Sequence, residues 1–241
     1  MNPTDPKRHK PMTSTDYHIP LSIRLRRPIA KIAIRWLFKL LGRIQVAGLD
    51  NIPLGRPYVV AINHVSIFDP PLVLALWPEM LEAVGASDVF QKPIQGDLLR
   101  IYGVIPVHRG EYDRILIDTM LAILRSGRPL MIAPEGGRSH APGMRRAKPG
   151  IAYILDEARV PVLPVGLVST TDDFLQRALR FQKPLLEMHI GKPFALPPIE
   201  GTGAVRRAAR QSNADLVMQH IAALLPPQYR GLYSGPTVVV P

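Results

Sequence analysis

The segment Asn63-His64-Val65-Ser66-Ile67-Phe68-Asp69 sets an imidazole five residues before a carboxylate. Histidine is the usual general base near neutral pH, and a carboxylate beside it holds its tautomer and stabilises the imidazolium. A regular helix puts positions five apart on different faces, so the pair meets only if the segment turns. Pro70 follows Asp69, which equally fits a plain helix start with Asp as cap and Pro in the first turn. His64 would then be an ordinary loop residue. The second chemically loaded segment is Pro134-Glu135-Gly136-Gly137-Arg138-Ser139. Its glycines let a backbone approach a ligand closely, exposed N–H groups can hold an anion, and Arg138 adds a bidentate donor. Read alone, it is just as well a Pro/Gly turn with a solvated Arg. Arg109 is a third candidate contact for a phosphate, or a surface charge.

The elements that must position these residues are legible as short apolar runs. Strands are predicted at Tyr58–Ile62, Val104–Val107, Leu130–Ala133, Val160–Val168 and Leu186–Ile190. Helical spacing covers residues 112–126, where Ile117, Met120, Leu121 and Leu124 share a face and Gly127 is the stop, then 150–158 and 204–225. This alternation predicts an α/β fold with a largely parallel or mixed central sheet flanked by helices. Both loaded loops follow strands, where open α/β sheets bind ligands.

Charge bounds the partners. The chain of 241 residues has 30 Lys and Arg against 19 Asp and Glu, a net +11, and is 46% hydrophobic, enough for a sizeable core. With no cysteine, disulfides, thiolate metal sites and a Cys nucleophile are excluded. An anionic partner is expected: nucleic acid, a membrane surface or a phosphorylated substrate. Residues 1–50 hold ten basic and three acidic side chains, so +7 of the excess precedes a nearly balanced body. From Pro28 to about Leu41, Ile29, Ile32, Ala33, Trp36, Leu37, Leu40 and Leu41 recur at three- and four-residue spacing, with Lys31, Arg35 and Lys39 on the other face. That pattern fits an amphipathic basic helix lying among lipid headgroups, or one packed on the body. At roughly 21 Å it is too short to span a membrane, and neither a transmembrane helix nor a signal peptide is predicted. The expected organisation is a flexible lead-in at 1–20, the amphipathic membrane-associating segment at 21–45, a catalytic domain at 46–226, and a loop or extended tail at 227–241.

The blocks gain meaning from their order. Asn-His-x4-Asp (63–69), Gly-Val-Ile-Pro-Val-His-Arg (103–109), Pro-Glu-Gly-Gly-Arg-Ser (134–139) and Val-Pro-Val-Leu-Pro-Val (160–165) together resemble the four-block signature of the glycerolipid acyltransferase family. Its best-known members are 1-acylglycerol-3-phosphate acyltransferases. The resemblance covers roughly residues 45–190. It implies that His64 deprotonates the hydroxyl of a lysophospholipid, which then attacks an acyl thioester of coenzyme A or acyl-carrier protein directly, and that Asp69 orients the imidazole. It assigns Arg109, Glu135, Gly136, Gly137 and Arg138 to the acceptor's glycerol phosphate, with Asn63 and Ser139 in support. For Glu135, a hydroxyl contact or a structural pairing is more sensible than a phosphate contact. No metal or cofactor is implied beyond the thioester co-substrate. The implied location is peripheral, on the cytoplasmic face of a membrane carrying anionic lipids, with no nucleic-acid partner. The chain departs from the family pattern at Ala86, Ala133 and Gly137, where a Lys, an aromatic and a Thr are usual; Lys92 and Lys148 are near in sequence. Acylation of a different lysolipid is the same-chemistry alternative. A non-catalytic anionic-lipid or nucleic-acid module rests on the basic N-terminus alone, and a metal hydrolase lacks a His/carboxylate cluster.

Overall fold

The computed structural model describes residues 17–108 and 113–235; Arg109 and the lead-in before Tyr17 lie outside them. Among the described residues the first element is α1 (Leu21–Leu41), followed by a seven-stranded sheet built from β1 (Arg43–Ala47), β2 (Val59–Ile62), β3 (Glu82–Ala86), β4 (Ile105–Val107), β5 (Leu130–Ile132), β6 (Val162–Val168) and β7 (Leu185–Ile190). The strand order is β1-β7-β6-β2-β5-β3-β4, and every pairing is parallel except β6 with β7. The sheet is therefore mixed, as expected. Its connecting helices are α2 (Asp69–Leu76), α3 (Gln95–Tyr102), α4 (Arg114–Arg125), α5 (Gly150–Ala158), α6 (Phe174–Leu179) and α7 (Gly203–Ala223).

β2 sits in the middle of the sheet, and all four of its residues are buried. This is why it reads as an unbroken apolar run. Its pleat divides the core: Val59 and Ala61 meet the cluster formed by α4, α5 and α7, whereas Val60 and Ile62 meet Val73, Leu74 and Trp77 from α2 and its end. In α7 the residues Ala214, Val217, Met218, Ile221 and Ala222 fall on one face at helical spacing and are buried. The chain after Pro226, expected as a loop or extended tail, makes two single turns at Pro227–Tyr229 and Gly231–Tyr233. The Tyr229 hydroxyl accepts from the Ser169 N–H at 2.9 Å and the Tyr233 hydroxyl accepts from the Ala147 N–H at 3.0 Å. Two aromatic hydroxyls thus tie the tail to the body.

α1 corrects the expectation in two ways. It runs for 21 residues, with Pro28 inside it, and β1 begins at Arg43, so residues 43–45 belong to the sheet. More consequential is its orientation. Its buried residues are Arg27, Lys31 and Phe38, while Leu21, Leu25, Ile29, Ile32, Trp36 and Leu40 are each more than half exposed. The basic stripe faces the body and the apolar stripe faces out. Lys31 Nζ donates to the Glu79 carbonyl at 3.2 Å, and Arg35 Nε donates to the Ala75 carbonyl at 2.8 Å, near the C-terminal end of α2, where cations are favoured. Lys31 and Arg35 are therefore not available to headgroups, contrary to the sequence expectation; Lys39 is exposed, over the Trp36 ring at 5.3 Å.

The firmest attachment is Arg27. Both its Nη atoms donate to the Glu82 carboxylate at 2.7 Å, and its Nε donates to the Tyr102 carbonyl. Tyr17 donates its hydroxyl to the same carboxylate at 2.6 Å; burial first, then the Glu82 charge, pushes the Tyr17 hydroxyl up and keeps it protonated. Removing one partner of a buried ion pair strands the other. Arg27→Met is expected to cost about 3 kcal/mol, the low end of the usual range because Tyr17 still serves Glu82. A thermal melt against the wild-type chain measures it.

Candidate active site

β2, β5 and β6 are adjacent parallel strands, so their carboxyl ends open at one edge of the sheet. The His64 loop leaves β2 there, and the Glu135 loop leaves β5. Asn63, the residue after β2, is fully buried and bonded twice to β6: its Nδ2 donates to the Leu167 carbonyl at 3.0 Å and its Oδ1 accepts from the Leu167 N–H at 2.7 Å. Asn63 is a positioning residue, and its amide matches a neighbouring strand as a backbone unit would.

The turn that the His64 and Asp69 spacing requires is present. His64 Nδ1 lies 2.9 Å from Asp69 Oδ2, and that same oxygen accepts from the Val65 N–H at 2.7 Å and the Ser66 N–H at 2.8 Å. Asp69 opens α2 with Pro70 behind it, yet its carboxylate turns back onto the loop instead of capping its own helix. A carboxylate only accepts, so Nδ1 carries the ring proton and the lone pair lies on Nε2. Asp69 is fully buried, whereas the His64 side chain keeps 14% of its surface. One edge of the ring is fixed and the other is presented outward. This arrangement makes Nε2 a proton acceptor for a hydroxyl held next to it.

Of the two roles weighed for Glu135, a hydroxyl contact or a structural pairing, the geometry shows a pairing, made with backbone N–H groups. It is 1% exposed; Oε1 accepts from the His64 N–H at 2.9 Å and Oε2 accepts from the Arg145 N–H at 2.8 Å. Burial pushes its carboxyl up, and the two N–H donors pull the other way. Its position locks the two loops together, and the Ser139 N–H adds a bond to the His64 carbonyl at 2.9 Å. Glu135→Gln must aim an amide NH2 at one of two N–H donors, leaving a buried clash of like groups. We expect a loss of about 2 kcal/mol in stability together with reduced turnover, checked by denaturant melts and initial rates on the same preparation.

Gly136 is exposed with φ +68, the left-handed region that favours glycine, and a Cβ there would lie 3.1 Å from Lys148 Cγ. Lys148 thus lies along the turn, with its N–H donated to the Pro134 carbonyl at 2.8 Å. Gly137 is buried within the turn. Arg138 is partly exposed and 3.8 Å from Asp172, a loose surface pair worth little. Arg145 reaches back to donate from Nη1 to the Arg138 carbonyl at 3.0 Å. Arg145 was not expected beside the site, and Lys148 was noted only as a nearby basic residue; their signal was the basic run Arg145-Arg146-Ala147-Lys148 following the third block. The structure therefore brings together Asn63, His64, Asp69, Glu135, Gly136, Gly137, Arg138 and Ser139, while Arg109 lies outside the described residues. Lys92 closes the single turn Ser87–Gln91 that follows β3.

A family model described as Acyltransferase matches residues 43–168, just over half of the chain, running from the first residue of β1 to the last of β6. The chain belongs to the acyltransferase family. Every site residue within the described part of this acyltransferase lies inside the match. Human 1-acyl-sn-glycerol-3-phosphate acyltransferase alpha is 24% identical over 173 residues, 70% of this chain and 59% of that protein. Lyso-ornithine lipid O-acyltransferase of Pseudomonas aeruginosa is 34% identical over 113 residues, 46% of this chain and 43% of that protein. The crystal structure of the 1-acyl-sn-glycerophosphate acyltransferase PlsC from Thermotoga maritima aligns with a TM-score of 0.54 at 21% identity, over 81% of this chain and 78% of that one. That likeness shows a shared fold, the mixed α/β sheet flanked by helices. The acyltransferase chain spans little more than half the length of the human relative.

Proposed function

We propose that this acyltransferase moves a fatty acyl group from an acyl thioester, carried by coenzyme A or acyl-carrier protein, to the free hydroxyl of 1-acylglycerol-3-phosphate, giving phosphatidic acid. One observation carries this reading: His64 Nδ1 bonded at 2.9 Å to a buried Asp69 carboxylate, with the opposite ring edge exposed at the carboxyl end of the sheet. The acceptor hydroxyl gives its proton to Nε2 as its oxygen attacks the thioester carbonyl. The tetrahedral intermediate collapses, the C–S bond breaks, and the departing thiolate takes the proton back from His64. No acyl–enzyme is needed. Arg138, Arg145 and Lys148 form the cationic side of the site and suit the acceptor phosphate. Arg109, outside the described residues, is a further candidate for the same phosphate only through the resemblance of the second block.

The same reading seats the protein on a membrane peripherally. α1 offers an apolar stripe with Trp36 and Lys39, and among the described residues no helix is long and apolar enough to cross a bilayer. Lipid substrates are then met at the surface that holds them. A second reading, acylation of a lysolipid with another headgroup, is favoured by the lyso-ornithine lipid relative. Product analysis by mass, after offering purified protein lysophosphatidic acid and other lysolipids with mixed acyl thioesters, separates the two. Phosphatidic acid as the main product supports the first reading; a preferred uncharged or amino-acid headgroup replaces it with the second; no acylated product from any acceptor refutes both.

A further inference from the structure

Outside α1, the largest uncovered apolar side chains of one short stretch stand where α6 turns into β7. Leu175 is 42% exposed, Leu179 66% and Phe181 90%. Phe181 also holds φ +60, a backbone region costly for a bulky side chain. Water gives no return for displaying a benzyl group in that conformation, so an outside surface is the natural counterpart. Arg177, Arg180 and Lys183 are interspersed with them, and no described carboxylate pairs with any of the three.

This stretch is continuous with α1. The inner face of α6, Phe174 and Ala178, is buried, and the Phe174 ring lies 5.9 Å from that of Phe38 in α1. The turn itself abuts the end of α1: the Pro184 carbonyl accepts the Arg43 N–H at 3.0 Å, and a Cβ on Gly42 would lie 2.9 Å from that oxygen. Leu37 and Leu40 are exposed at this same end of the helix.

We propose that residues 175–183 form a second membrane-contacting element, which extends the apolar stripe of α1 and sets three cations against anionic headgroups. Apolar side chains between uncompensated cations suit an anionic lipid surface better than a protein partner, which would have to supply matching acids to an apolar patch. Phe181 enters the acyl boundary, while Arg177, Arg180 and Lys183 stay at headgroup level. The proposal rests on the membrane reading of α1 and not on the reaction, because partition onto vesicles is measured without turnover.

The test is co-sedimentation of the full chain with phosphatidylcholine vesicles, with and without phosphatidylglycerol, together with rates on a short-chain, monomeric acceptor and thioester. Phe181→Asp is expected to lower vesicle partition about tenfold or more, with the monomeric rate unchanged. The double variant Arg180→Glu, Lys183→Glu is expected to lower partition only on vesicles containing phosphatidylglycerol, by about fivefold or more per charge. Trp36→Asp in α1 serves as the comparison. Wild-type binding by Phe181→Asp while Trp36→Asp is lost would overturn the proposal and leave α1 as the sole contact. A changed oligomeric mass with unchanged vesicle binding would overturn it in favour of a second copy. Absence of wild-type binding to any vesicle would overturn both the proposal and the membrane reading of α1.

Discussion

His64→Ala should lower turnover by about 10²–10⁴-fold while leaving the fold in place. The side chain makes one hydrogen bond, to Asp69, and stands partly exposed at the site. The bonds that seat the residue use its backbone instead: its N–H goes to Glu135 and its carbonyl takes the Ser139 N–H. Alanine keeps both, and Asp69 keeps the Val65 and Ser66 N–H donors. The expected stability change is therefore about 1 kcal/mol, small beside the rate loss. Initial rates and thermal melts on one preparation separate the two effects. Retained turnover with an intact fold would remove His64 from the chemistry.

Asp69→Asn comes second and is a cleaner electrostatic test than truncation. All three donors converge on Oδ2, and Oδ1 is buried with no hydrogen-bond partner among the described residues. An asparagine can place its carbonyl oxygen where Oδ2 stands, preserving every donor contact, with its NH2 in the position of Oδ1. On the proposed mechanism, what it loses is the charge that would stabilise the imidazolium as His64 takes the proton. We expect kcat to fall by about 10³–10⁴-fold, with KM for the acceptor changed little. The buried NH2, having no acceptor, costs about 1–3 kcal/mol in stability. A KM that rises as steeply as kcat falls would instead make Asp69 an acceptor-binding group.

Apolar runs revealed the central strands because burial on both faces leaves a continuous signal, as in β2 and β6. β1 was not legible: it alternates exposed and half-buried residues at the sheet edge, without an apolar run. β3 opens on the charged Glu82, which belongs to the Arg27 pair, and contains a glycine. α2 lies buried with apolar residues on several sides, so it has no amphipathic period to detect. The meeting of His64 with Asp69 was legible as a possibility. The duty of Glu135 was not, because its partners are backbone N–H groups with no side-chain signature. Periodicity in α1 told which residues share a face but not which face turns inward. The Glu82 carboxylate and the carbonyls of Ala75 and Glu79 decided that, and they lie about 40 to 55 residues away in sequence.

Direct, base-assisted transfer with no covalent intermediate is tested by following thiol release and product together. Purified protein is first mixed with a long-chain acyl thioester alone, and lysophosphatidic acid is added afterwards. Direct transfer gives no burst of thiol and no acylated protein before the addition, followed by thiol and phosphatidic acid rising in equal amounts. A stoichiometric thiol burst before the acceptor arrives, with acyl mass on His64, Ser66 or Ser139, would contradict it.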